Sequence, residues 1–144
     1  AEATARREIA SLNWAAGDVA NAQTQLRRAL HLAPDDQAAA NNLAWMLASV
    51  EIPKVADLEE AASWVERVED ARGAAGSEVD AGFLDTKAVV LAARGRFAEA
   101  LDVARGAELV ARSAGDTELA AALAERMALY RGGNRFVDPA SVPR

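Results

Sequence analysis

Apolar residues recur three and four positions apart through most of this chain, in blocks of 13 to 18 residues broken by glycine, proline and aspartate. That spacing puts one apolar stripe on each helix and predicts seven of them. The first covers Ala3 to Ala16 and stops at Gly17-Asp18, and the second runs from Val19 to Leu32. Ala33-Pro34-Asp35-Asp36 ends the second and offers aspartates to cap a third, from Gln37 to Ser49. Asp57-Leu58-Glu59-Glu60 has the form of a capping box, so the fourth helix is expected from Asp57 to Arg72, stopping at Gly73 to Gly76. The fifth is expected from Val79 to Arg94, the sixth from Phe97 to Ser113, and the seventh from after Asp116 to Gly132-Gly133. The tail from Asn134 to Arg144 contains Pro139 and Pro143 and is expected to be irregular. Connections of two to six residues make successive helices antiparallel neighbours.

Composition supports this picture. Of the 144 residues, 51% are apolar but only 5% aromatic, so the apolar content is mostly alanine, leucine and valine. Alanine loses no side-chain entropy in a helix, and its small side chain lets helices approach closely. A chain of this length can bury roughly 70% of its unfolded surface in one domain. The net charge of −6 argues against a nucleic-acid phosphate backbone as partner, and the arginine pairs Arg6-Arg7 and Arg27-Arg28 lie among acidic neighbours. There is no cysteine, which removes disulfides and thiolate sites but suits cytoplasm and periplasm alike. No apolar run approaches the roughly 18 residues of a membrane span. The opening Ala1-Glu2, without methionine, suggests a fragment or a processed form, with a membrane anchor or catalytic domain elsewhere in the parent chain.

The chain also repeats itself. Placing Gly17-Asp18 beside Gly95-Arg96 aligns the flanking helices: Ala-Ala-Gly-Asp-Val-Ala-Asn-Ala, ending at Ala22, matches Ala-Arg-Gly-Arg-Phe-Ala-Glu-Ala, ending at Ala100. In each, the small residue five after the glycine allows close packing of the second helix on the first. Leu26 and Ala29 in one unit correspond to Ala104 and Ala107 in the other.

With Ile9, Ala10, Gly17, Ala22, Leu26, Ala29, Leu32 and Pro34 in place, the first unit resembles a tetratricopeptide repeat, a motif of about 34 residues. Ala40-Asn41-Asn42-Leu43-Ala44-Trp45-Met46-Leu47-Ala48 is similar to the first helix of a second copy, whose turn is stretched over Val50 to Ala56 before Ala61, Val65 and Val68 resume the packing pattern. A third copy has Leu84, Ala88, Leu91, Gly95, Ala100 and Ala107, but Lys87 where leucine is usual and no closing proline. Leu119 to Arg131 resembles the solvating helix that caps such arrays. The resemblance implies an all-α, right-handed stack of antiparallel helical hairpins with units near residues 3–36, 37–76 and 78–115, a cap at 116–132 and a separate tail at 134–144.

In such a stack the first helix of each pair lines a concave face that holds a peptide or a partner's helix. The resemblance therefore implies a groove drawn from Thr4, Arg7, Ser11 and Trp14, from Asn41, Asn42, Trp45 and Ser49, and from Asp85, Thr86, Val89 and Ala93. Trp14 and Trp45 are the most informative, because tryptophan contributes large apolar area with few rotors at binding hot spots. Filling inter-helix space in an aromatic-poor core is the other reading, and the favoured one, because most tryptophans in small domains are largely buried. Arg7 and Asn42 match positions at which family members clamp a C-terminal carboxylate. Ser11, Gly82 and Thr86 replace the other clamp residues, which leaves a chaperone-tail clamp incomplete.

Other chemistry is sparse. Lys87 in a core stripe is either a buried amine or a side chain that snorkels to the surface. His31 is the only histidine and cannot build a metal site alone. The acidic residues Asp57, Glu59, Glu60, Glu66, Glu69 and Asp70 spread around a helix instead of converging on a cation, and Trp64 and Val65 belong to packing. No phosphate loop, nucleophile elbow or carboxylate pair is recognisable. The expectation is a non-enzymatic scaffold without cofactor or metal, with a protein or peptide as partner. The alternative is a structural, self-associating domain appended to a larger bacterial enzyme, attached to a membrane elsewhere in the chain.

Overall fold

Aspartate side chains start many of the helices, as the punctuation of the sequence requires. The computed structural model of the chain describes residues 1–77 and 80–143. In it α1 spans Glu2–Ala15, α2 Val19–Leu32, α3 Gln37–Ala48, α4 Val55–Ala75, α5 Ala81–Ala93, α6 Phe97–Ser113 and α7 Thr117–Arg131, and a short 3-10 turn covers Pro139–Ser141. No strand occurs among the described residues, and the protein is all-α. Asp18, Asp36, Asp80 and Asp116 accept the backbone N–H of Asn21, Ala39, Phe83 and Leu119 at 3.3, 3.0, 2.7 and 3.0 Å. Each such cap stabilises its helix by about 0.5–2 kcal/mol.

Two compact units divide the chain. One comprises Ala1–Val68 together with Val137–Arg144, and the other Glu69–Phe136. In the first, α1 packs on α2 and α2 on α3. Gly17 makes the α1–α2 turn with φ of +82°, a conformation that costs little without a Cβ. Five residues on, Ala22 is fully buried, and Leu26 and Ala29 continue its stripe. Glu60 and Asp57 of α4 hold Arg27 of α2, at 2.9 and 3.4 Å.

The second unit repeats the device. Gly95 turns α5 into α6 with φ of +80°. The buried stripe Ala100, Ala104, Ala107 and Ala111 packs in one cluster with Ala88 and Leu91 of α5 and Leu123, Met127 and Tyr130 of α7. α6 packs on both α5 and α7.

Several boundaries differ from the sequence expectation. α4 begins at Val55, and Leu58 N–H donates to Lys54 O at 3.0 Å, so the anticipated capping box at Asp57 is one turn too late. Asp57 and Glu60, three apart on one face, point at Arg27 instead of at their own backbone. α4 also continues through Gly73 to Ala75, and Gly76, with φ of +65°, is where it stops. The expected start of the fifth helix at Val79 lies outside the described residues, and α5 is capped from Asp80. Lys87 snorkels: its Nζ lies 3.0 Å from Glu69, with the side chain partly exposed.

If close approach at the alanine stripes holds the hairpins, enlarging them must cost stability. Ala22→Leu and Ala100→Leu are each expected to lower the unfolding free energy by about 1–3 kcal/mol. Exposed neighbours Ala20→Leu and Ala98→Leu should change it by less than about 0.5 kcal/mol. Urea unfolding followed by circular dichroism measures all four.

Candidate partner-binding face

Trp14 lies in the last turn of α1 and Trp45 in the last turn of α3, one turn before the cap residue Ser49. Trp14 is 8% exposed and Trp45 half-buried. Trp14 thus belongs to the buried core, and Trp45 lies at its edge. Both indole N–H groups donate to the same atom, Oδ2 of Asp138, at 3.2 Å from Trp14 and 2.8 Å from Trp45.

Asp138 belongs to the segment after α7 that returns to the first unit. Its backbone N–H donates to Ser49 O at 2.8 Å, so the segment is fixed at the C-terminal end of α3. Its other carboxylate oxygen accepts Ala140 N–H at 2.9 Å and caps the 3-10 turn whose first residue is Pro139. Ser141 Oγ donates to Asp138 O at 2.7 Å and lies 3.4 Å from Ser49 O. The Gly17 turn passes close by: a Cβ there would stand 3.7 Å from Ala140 O. The carboxylate thus accepts three neutral N–H donors, two of them from helices far apart in sequence. Hydrogen bonds to a charged group are each worth about 1.5–3 kcal/mol. No residue of the 3-10 turn is fully buried, and Ala140 and Ser141 are half-buried.

The remaining predicted residues separate into two groups. Arg7 is engaged within the fold. Its Nη1 lies 3.0 and 2.9 Å from the two oxygens of Asp36, tying α1 to the cap of α3, so it is not placed as a free clamp for a foreign carboxylate. Ser11 is exposed and its Oγ donates to Arg7 O at 3.2 Å. Thr4 is exposed, and Asn41 and Asn42 are half-buried on α3. Asn41 Oδ1 is buried with no hydrogen-bond partner among the described residues.

Asp85, Thr86 and Val89 in the second unit are not surface residues: Asp85 is 4% exposed, Thr86 1% and Val89 0%. The reason is legible in α5 itself. Ala-Gly-Phe-Leu-Asp-Thr-Lys-Ala-Val-Val-Leu-Ala-Ala is apolar on nearly every side, which marks a helix buried all round. Ala93, near its end, is half-buried.

A carboxylate in such a helix needs a cation. Arg126 of α7 pairs with Asp85 Oδ2, and its guanidinium also lies 4.4 Å from the centre of the Phe136 ring. Burial pushes the Asp85 carboxyl above its usual range, and Arg126 only partly opposes this. Tyr130 is nearby, its hydroxyl buried without a partner among the described residues. Burial, then the Asp85 charge, raises its pKa. Sequence reading missed Arg126, Tyr130 and Asp138. The signals for two of them were present: an aspartate in an apolar helix demands a partner, and Asp-Pro-x-Ser is a turn-capping pattern.

A shallow surface cavity of about 400 Å³ is lined by Arg6, Thr24, Arg27, Arg28 and His31 among others. Arg27 is committed to Glu60, whose hydrogen bond raises the guanidinium's pKa. No group of histidine and acidic side chains suited to a metal ion occurs among the described residues, and no helix is long and apolar enough to cross a membrane. No known protein family, curated protein or solved structure matches the chain.

The buried pair generates its own test. Arg126→Met leaves Asp85 uncompensated and should cost about 3–5 kcal/mol, whereas Asp85→Leu combined with Arg126→Met should recover most of the loss. The Asp85 carboxyl binds its proton more tightly folded than unfolded. Its contribution is therefore present at low pH and lost as pH rises from about 4, the ordinary aspartate value, through the raised folded value. Comparing urea unfolding of the wild type and Asp85→Asn across that range should show this downward component in the wild type alone.

Proposed function

We propose that this chain is a protein–protein interaction scaffold of tetratricopeptide type, whose first and third helices hold a peptide or helix of a partner protein. The observation that supports it best is the convergence of the Trp14 and Trp45 indole donors on one carboxylate of an extended segment. A buried indole N–H needs an acceptor in any fold, and here both are served by a polypeptide segment laid against the ends of α1 and α3, the kind of ligand such a face would hold. The recurring Gly17/Ala22 and Gly95/Ala100 hairpins fit the same reading, and so does the stacked arrangement that the family resemblance implies. In this reading the protein positions its partner and transforms nothing.

A second reading, self-association as a structural domain, is favoured by one feature. Ile9 and Leu12, three apart on α1, are 45% and 71% exposed, which is costly for apolar side chains left in water. Sedimentation velocity separates the two. A monomer that keeps its sedimentation coefficient over a hundredfold range of concentration supports the scaffold, and a dimer that Leu12→Ser dissociates supports self-assembly. For the scaffold itself, a photo-crosslinking residue replacing Ser11 should trap a partner in the source cells, and the same residue replacing the exposed Arg105 of α6 should not. Equal trapping at both positions would place the contact elsewhere.

A further inference from the structure

The face that holds the segment after α7 has a defined chemistry. It offers two indole N–H donors to one carboxylate oxygen and a backbone carbonyl, Ser49 O, to the amide of the same residue. The occupant meets it with an aspartate, a proline that starts a tight turn, and a serine that closes the turn back on Asp138 O. Each of these three residues is an identity that the occupant must supply.

The hold on this segment is also limited. None of its turn residues is buried, Pro139 is exposed, and Val142 is 37% exposed. Its polar attachment includes the bonds made by Asp138 and the Ser141 hydroxyl beside Ser49 O. A helix of the first unit, by contrast, is fixed by fully buried side chains such as Leu26 and Leu43. The face can therefore be emptied without dismantling the helices that form it.

We propose that the α1/α3 face is a recognition site for Asp-Pro turn segments, and that residues 137–143 occupy it in cis as an exchangeable stand-in for a partner segment of the same chemistry. This rests on the scaffold reading above and narrows it to one class of ligand: a turn-forming polypeptide segment bearing aspartate followed by proline, a small residue and serine. A tethered occupant competes at high effective concentration, so the partner is admitted only when its segment outcompetes the chain's own. The carboxylate selects the ligand, because an apolar or amide side chain cannot satisfy two indole donors as a charged acceptor does.

The test uses the full chain and a synthetic peptide with the sequence of residues 136–143, Phe-Val-Asp-Pro-Ala-Ser-Val-Pro, labelled for fluorescence anisotropy. Asp138→Ala frees the face, and this variant should bind the peptide at least tenfold more tightly than the wild type, whose own segment competes. Changing the peptide's aspartate to alanine should abolish binding to the variant, and Trp45→Phe added to Asp138→Ala should weaken it several-fold. Circular dichroism establishes that the variants remain helical. If Asp138→Ala loses its helices, Asp138→Asn provides the same comparison with the segment's shape retained.

A folded variant that ignores the peptide, or binds the aspartate-free peptide equally well, overturns the proposal. So does a wild-type chain that binds as tightly as the variant, since its face would then not be occupied in cis. Failure here is distinguishable from failure of the scaffold reading. A partner trapped through position 11 while the Asp-Pro peptide goes unbound rejects only the ligand class, whereas loss of trapping rejects the scaffold.

Discussion

The structure depends on how closely its helices can approach one another, and alanine sets that distance. Ala10, Ala22, Ala29, Ala39, Ala44, Ala88, Ala100, Ala104 and Ala107 are all fully buried, more positions than leucine and valine together occupy at that depth. A methyl group brings little apolar area to each contact, so the stability of the hairpins rests on many such close approaches together with fully buried leucines such as Leu26 and Leu43. Left-handed glycines such as Gly17 and Gly95 are the other half of this constraint, because only a tight turn returns the chain at that spacing. The same economy of volume explains why the few large polar or aromatic side chains stand out. In a core made of methyl groups, a tryptophan or a buried carboxylate must be accommodated by design.

Two aspartates show contrasting solutions. Asp85 is surrounded by apolar side chains and is compensated by one cation, Arg126, at a cost that leaves its carboxyl reluctant to ionise. Asp138 sits at a half-exposed edge and is held by neutral N–H donors from two tryptophans and from its own turn. The first arrangement is an internal brace between α5 and α7. The second ties the C-terminal ends of α1 and α3 to the half-buried segment after α7.

The helices were legible in the sequence because their periodicity and punctuation agree. α2, α6 and α7 begin and end where the sequence places them, and others are displaced by one to three positions. The start of α4 was misplaced because Asp57 and Glu60 imitate a cap, while their partner, Arg27, is 30 and 33 residues away in the chain. Proximity in space is what local patterns omit. The candidate site was half legible for the same reason. Trp14 and Trp45 stood out as unusual, but the atom that unites them lies in a proline-containing tail that reads as irregular. Val89 and Asp85 were assigned to a surface from their place in the repeat. The apolar run around them had already marked α5 as a buried helix.

The bond from Trp14 to Asp138 spans 124 residues. The first unit is thus assembled from both extremes of the described chain, with the whole second unit lying between them in sequence. On a ribosome the helices α1 to α3 emerge before Asp138 and can pair through local contacts, yet their tryptophan face stays open until the segment around Asp138 is made. Closing it joins ends separated by a loop that contains a complete unit, so the entropy of closure falls once that unit has already shortened the loop by folding. The order of synthesis therefore provides an interval in which the face is accessible before its own segment arrives.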